Sequence, residues 1–158
     1  MATDTHIKFD GVDGESAHKD HKGETQLETW EWSLTNASAV MGGGSGQGKA
    51  EPGMMKFTQS YDKSTPVLAK RCADGKHFPT VTLTSRKSGE GQKDFLKCTM
   101  KEVKISEVLQ TSKPGGDIEV RVAMTFGDIE FEYKAQDDKG GTGGAVKFGW
   151  NVKSSEIR

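Results

Sequence analysis

The sequence predicts a mainly β domain with one short helix, and three observations carry that expectation. Apolar and polar residues alternate along most of the chain, as on strands with one buried face. Gly is abundant, at 20 residues, and Pro is scarce, at 4, which suits strands joined by tight turns. Helical signals gather in one place, around Pro66.

The elements follow in chain order. Ile7 and Phe9 open a first short strand. Trp30, Trp32 and Leu34 share one strand face, with Glu31 and Ser33 on the other. Leu27 has the wrong parity for that face, so a β-bulge is expected near Glu28. Met55 and Phe57 mark another strand. Ser64-Thr65-Pro66 supplies a capping hydroxyl and a proline for the first helical turn, and Gly75 supplies a stop. The helix is therefore expected over about 65–73, flanking the strands. Val81 and Leu83 then alternate with Thr80, Thr82, Thr84 and Arg86, a β-branched polar face. Leu96, Cys98 and Met100 alternate until Val103 and Ile105 take the opposite parity, which again implies a bulge or bend. Ile118, Val120, Val122, Met124 and Phe126 form the longest clean alternation. Gly127 breaks it, and Ile129, Phe131 and Tyr133 resume on shifted parity. Val146, Phe148, Trp150 and Val152 close the series.

At 158 residues, with no repeat and no shift in composition, the chain reads as a single domain over 1–158. Hydrophobic residues make up 32% and charged residues 28%, so the core is lean. Net charge is −1, which offers neither the basic excess of a nucleic-acid binder nor an attraction to an anionic membrane. No apolar stretch reaches transmembrane length, and the opening Met-Ala-Thr-Asp-Thr-His has no basic region leading into an apolar run, so no cleaved leader is expected. Cys72 and Cys98 both fall inside apolar patterns and read as buried thiols rather than a disulfide.

The candidate chemistry is thin. Gly43 to Lys49 matches most of a phosphate-binding loop, but Ala50 stands where magnesium needs a hydroxyl, and Glu51-Pro52-Gly53 makes a poor helix start. The segment is better read as part of an extended Gly-rich loop near 41–53. His18 and His21, with Asp13 and Glu15, lack the ligand number and spacing of a structural metal site. Asp13 to Glu24 reads as a solvated loop. His6 and His77 have no acid or nucleophile at a recognisable spacing, and Glu130 and Glu132 read as a polar strand face. No catalytic, cofactor-binding or metal residue is assigned, and no enzyme activity is expected. Trp30 and Trp32 are expected to anchor the core rather than form a ligand platform.

Several motifs nonetheless recur in a known order: Ile7-Lys8-Phe9, Gly14-Glu15-Ser16, Asp20-His21-Lys22-Gly23, Trp30-Glu31-Trp32, the Gly-rich loop, Asp62-Lys63-Ser64-Thr65-Pro66, Gly75-Lys76-His77, Phe131-Glu132-Tyr133 and Phe148-Gly149-Trp150. Spread over nearly the whole chain, they resemble the hemolysin-coregulated protein family, the inner-tube subunits of type VI secretion systems. The resemblance implies a two-sheet β-barrel with one flanking helix. It further implies that six copies close into a ring and that rings stack into a tube driven by a contractile sheath, much like a phage tail tube. Expected partners are further copies of the chain, secretion effectors carried in the lumen, and sheath and spike proteins, with no nucleic acid and no membrane insertion. The subunit would be cytoplasmic before assembly and then exported without a cleaved signal. The family's extended loop contacts a neighbouring ring or subunit, a role that falls on Gly42, Gly43, Gly44, Ser45, Gly46, Gln47, Gly48 and Lys49. Where the family usually reads Trp-Ser-Trp-Gly, this chain reads Trp30-Glu31-Trp32-Ser33, which makes Glu31 and Ser33 the candidate lumen- and cargo-facing residues. The alternatives are a monomeric β-barrel ligand-binding module and a phage-type tail tube protein.

Overall fold

The computed structural model describes residues 2–36, 50–89, 91, 93–136 and 142–158. Its elements are β1 (Thr3–Phe9), β2 (Thr25–Leu27), β3 (Thr29–Glu31), β4 (Leu34–Asn36), β5 (Ala50–Pro52), β6 (Met55–Ser60), α1 (Thr65–Asp74), β7 (Phe78–Lys87), β8 (Asp94–Thr111), β9 (Glu119–Thr125), β10 (Asp128–Gln136), β11 (Thr142–Asn151) and β12 (Glu156–Ile157). A first sheet runs β12-β11-β10-β8-β7-β1-β2, and a second runs β3-β6-β9 and joins the first through β8.

β8 does this by turning over partway along. Its first part pairs with β10 from Leu96 to Lys101 and with β7 as far as Val103. From Lys104 onward it pairs with β9. The parity change between Met100 and Val103 falls at Glu102, whose φ of 53° is left-handed. A residue with a side chain seldom adopts that conformation, and here it re-aims the strand. Both segments then point apolar side chains inward: Cys98, Met100, Val103 and Ile105 are all buried. The sheets meet again at Glu28. Its N–H bonds to the Thr58 carbonyl at 2.9 Å, carrying the chain from β2, the partner of β1, to β3, the partner of β6. This is the irregularity that the parity of Leu27 requires. The ladder is not an unbroken closed barrel; two sheets face each other and exchange strands at β8 and near Glu28.

The core lies between the sheets. Phe9 packs on Phe57 and Phe78 with ring centres 6.0 and 5.1 Å apart, and Met55, Met124 and Ile129 are fully buried beside them. Helix α1 covers one end with Leu68. Pro66 lies in its first turn and Gly75 ends it with φ 71°, its N–H bonding to the Arg71 carbonyl. Ser64 does not cap the helix, however. Its hydroxyl turns to Asp62, joining a buried polar knot in which Gln59 Nε2 donates to Asp62, Ser64 and Thr65. Cys98 is buried, which pushes its thiol up to about 12, whereas Cys72 is half-buried; both are free thiols.

Other expectations shift with tertiary context. Leu34 leaves the Trp30 face: the strand ends at Glu31, and Leu34 belongs to the small β4–β5 sheet, where it is exposed. Ile118 precedes β9 and is exposed. Residues 13–24 are not simply a solvated loop. They strap across the outer face of the first sheet, so that His6, His21, Thr84 and Arg86 are buried. No helix among the described residues is long and apolar enough to cross a membrane.

Phe57 fills the space between the sheets and is 2% exposed. Phe57→Ala is therefore expected to lower unfolding stability by about 3–5 kcal/mol in chemical denaturation, through lost burial and a residual cavity.

Candidate functional site

Of the candidate lumen-facing residues, Glu31 lies on the outer face of the second sheet. Strand alternation places Trp30 inward, so Glu31 and Thr29 must point outward. Register then supplies their neighbours. Glu31 lies across from Lys56, Lys56 from Ala123, and Ala123 from Glu107. One step along, Thr29 lies across from Thr58, Thr58 from Arg121, and Arg121 from Leu109. Cross-strand neighbours of this kind stand about 5 Å apart at Cβ, close enough to act as one surface.

The rows line a shallow depression of about 550 Å³. Its chemistry is mixed. The Thr29 and Thr58 hydroxyls bond to each other at 2.6 Å, and Arg121 donates to Glu119 at 3.0 Å along the same strand. Glu31, Lys56, Glu107 and Arg121 are exposed, and acidic and basic groups alternate across the face. Leu109 is an exposed apolar side chain at its margin. A carboxylate beside a lysine presents a local dipole rather than a plain negative field.

Trp30 and Trp32 hold this face in place from behind. Trp30 stacks near Phe131 at 6.4 Å, and Trp32 packs on Phe131 and Phe126 at 5.3 and 6.2 Å. The indole of Trp32 donates to the Gly53 carbonyl at 3.0 Å, and the Gly53 N–H bonds to the Ser33 carbonyl at 2.7 Å. A Cβ on Gly53 would come within 2.5 Å of the Ser33 hydroxyl oxygen. Ser33 is exposed, but it follows the end of β3 and approaches Gly53 rather than extending the Glu31 row. Both tryptophans thus anchor the core, as their spacing suggests.

The Gly-rich segment Gly42 to Lys49 lies outside the described residues. Its two ends are described. β4 and β5 pair antiparallel from Leu34–Pro52 to Asn36–Ala50 and form a short stem. Residues 50–52, expected as loop, are thus strand, and Lys49 is followed by a strand rather than by the helix that a phosphate-binding loop needs. Glu130 and Glu132 each face basic groups: Glu132 faces Lys134 and Lys147 at 3.5 and 3.9 Å, and Glu130 faces Arg158 at 3.4 Å. Among the described residues no group of three or more ligating side chains is placed to hold a metal ion. The basic partners Lys56 and Arg121 were not singled out from the sequence; only strand register brings them to Glu31.

Comparison with known proteins agrees with this architecture. Residues 6–133 match the family described as "Type VI secretion system effector, Hcp". The chain is 39% identical to protein hcp1 of Pseudomonas aeruginosa over 159 aligned positions, covering 98% of each. Its fold superposes on the crystal structure of Hcp1 from Salmonella typhimurium with a TM-score of 0.82 and 29% identity, covering 100% of both chains. A second solved structure, of a type six secretion system protein, gives a TM-score of 0.94 at 26% identity, covering 99% of this chain and 100% of the other.

Trp32→Phe removes the indole donor and leaves the Gly53 carbonyl without that bond. It is expected to cost about 1–2 kcal/mol in urea denaturation, more than the loss of an exposed hydrogen bond would.

Proposed function

Since the chain belongs to the Hcp family of type VI secretion systems, we propose that it is a tube subunit: copies close into six-membered rings, the rings stack, and effector proteins travel in the lumen. The observation that carries this reading is an apolar sheet face that outruns the chain's own core. In β10 and β11, Ile129 lies across from Trp150, Phe131 from Phe148 and Tyr133 from Val146. The first pair is buried, Phe131 and Phe148 are half-buried, and Tyr133 and Val146 are 47% and 70% exposed. A face that starts in the core and continues into solvent calls for a cover, and a neighbouring copy of the chain supplies one.

In this reading the outer face of the second sheet lines the lumen. It is broad, polar and charge-balanced, and it carries Glu31 at its edge. Such a surface holds cargo loosely through exposed dipoles and hydrogen bonds, without the dry contact that would prevent release. The Gly42–Lys49 segment, mounted on the β4–β5 stem, takes the role of contacting the next ring. The sheath and spike act on the assembled tube, and the subunit leaves the cell with its cargo.

Two outcomes test the reading. Val146→Glu places a charge on the exposed end of the apolar face. Native mass spectrometry is expected to show at least a tenfold shift from six-membered rings towards monomers, with the circular dichroism of the fold unchanged. Rings that persist at the wild-type level would remove the interface. For the lumen face, Glu31→Ser is expected to change effector retention and to flatten its dependence on salt. Identical retention at low and high salt for both proteins would remove Glu31 from the cargo surface.

A further inference from the structure

The first sheet's outer face holds a buried histidine that lies in neither the apolar β10–β11 face nor the Glu31 face discussed above. His6 points outward from β1, away from the core side chains Ile7 and Phe9. It would be exposed but for residues 13–24 lying over it; in place it is 1% exposed. Neither ring nitrogen has a hydrogen-bond partner among the described residues. The ring stacks on His21 at 4.7 Å, nearly parallel, and His18 closes a third side at 5.4 Å. A buried polar group without partners is costly, and this one sits where a loop meets a sheet.

One guanidinium and several carboxylates lie around this ring. Arg86 of β7 donates to Asp20 of the loop and to Asp94 of β8, each at 2.9 Å. His21 places one nitrogen 2.7 Å from Glu24 and the other 3.0 Å from the Asp94 oxygen that Arg86 also uses. Across the ladder, His6 faces uncharged Gln26 of β2 and Thr84 of β7. On its own strand Asp4 alone favours a proton, while Arg86, His21 and His18 oppose one. The acids of the cluster, Asp20, Glu24 and Asp94, are engaged by Arg86 and His21 rather than by His6.

We propose that residues 13–24 form an acid-released strap: protonation of His6 lifts this segment from the sheet and uncovers His6, Thr84 and Arg86 while the two sheets stay folded. The strap is suited to local opening. Its ties to the rest of the fold are side-chain contacts, Asp20 to Arg86, His21 to Asp94, Asp13 to Lys8 and Glu15 to the Lys63 N–H, while its backbone bonds are internal, as in Gly14 to Gly23, Ser16 to Glu24 and Gly23 to Ser16. It contributes no large apolar side chain to the core. The inference depends on neither ring closure nor cargo.

The direction follows from linkage. Burial, with the neighbouring His21 and His18, holds His6 down to about 4 from an ordinary value near 6.5. The closed strap therefore carries a neutral His6 where the open one carries a protonated ring. Closure is fully favoured above the ordinary value, weakens as pH falls through it, and stops weakening near the lowered one. Between about pH 7 and about pH 5, opening is expected to become roughly twentyfold more favourable from this group alone.

The test is amide hydrogen exchange on the full chain in its native assembly state, at pH 7 and 5 and corrected for intrinsic rates. Wild type is expected to lose roughly twentyfold protection in residues 13–24 while β6, β8 and β9 keep theirs. His6→Phe retains a ring to stack on His21 but cannot titrate, and its strap protection is expected to vary less than threefold. His6→Gln serves if the phenylalanine variant does not fold. Strap protection independent of pH in wild type, an equal loss in the variants, or loss shared by all strands would each overturn the proposal. So would a histidine ring titration by NMR that places His6 at its ordinary value. Persistence of rings in the Val146→Glu test, which would remove the proposed interface, leaves this result untouched, and the reverse holds as well.

Discussion

One strand has to belong to two sheets. β8 runs for 18 residues, too long to lie flat against one layer of so small a domain, and its inward face must change sides where it passes from β7 and β10 to β9. A left-handed residue at Glu102 makes that change. Such a conformation costs about 1–2 kcal/mol for a residue with a side chain, and it persists because Met100 on one side and Val103 on the other are both fully buried. Gly127 is tied to the same point: its N–H bonds to the Lys101 carbonyl at 2.9 Å, and a Cβ there would approach the Glu102 carboxylate to 2.7 Å. Moving the turn by one residue would send every later inward side chain of β8 to solvent. The position of the second sheet, and with it the Glu31 face, rests on this one reversal.

With the inner faces committed to the core, the outer faces are free to differ, and they do. The second sheet leaves Glu31, Lys56 and Arg121 bare. The first sheet buries Thr84 and Arg86 under a loop, and burial of a guanidinium demands partners. Burial works against the charge of Arg86, but the hydrogen bonds to Asp20 and Asp94 outweigh it and raise its affinity for the proton. In return Arg86 holds Asp20 below the ordinary carboxylate range. Two similar polar strand faces thus take different roles because one lies within reach of a loop rich in His and Asp and the other does not.

That difference marks the limit of what the residues disclose in one dimension. The breaks at Glu28, Glu102 and Gly127 are legible because each reverses the parity of an apolar series, and parity is a local property. The outward direction of Glu31 follows from Trp30 and Trp32 in the same way. The strap is not legible. Residues 13–24 show no apolar period, and His21 meets Asp94 across 73 positions. Lys56 and Arg121 are likewise invisible as partners of Glu31 until register is known. Apolar alternation also fails to tell Ile129 from Tyr133, since it reports which side of a strand is apolar and not whether anything lies over that side. Leu34 shows the same failure at the end of β3. The Ser64 hydroxyl shows another: a capping residue by type donates instead to the Asp62 carboxylate, which sequence periodicity does not place.

The exposed end of the β10–β11 face bears on the lean composition. At 32% hydrophobic residues the chain has little apolar surface to bury, yet Tyr133, Val146, Leu34 and Leu109 stand outside the core. A monomer selected only for its own stability gains nothing from such placement, and an exposed β edge beside it is an aggregation risk. In the assembly proposed above, Tyr133 and Val146 would be covered in trans, so that the core of one subunit is completed by the next. Under this view leanness is not a defect that the fold must tolerate. It reserves part of the hydrophobic driving force for the proposed contact between copies.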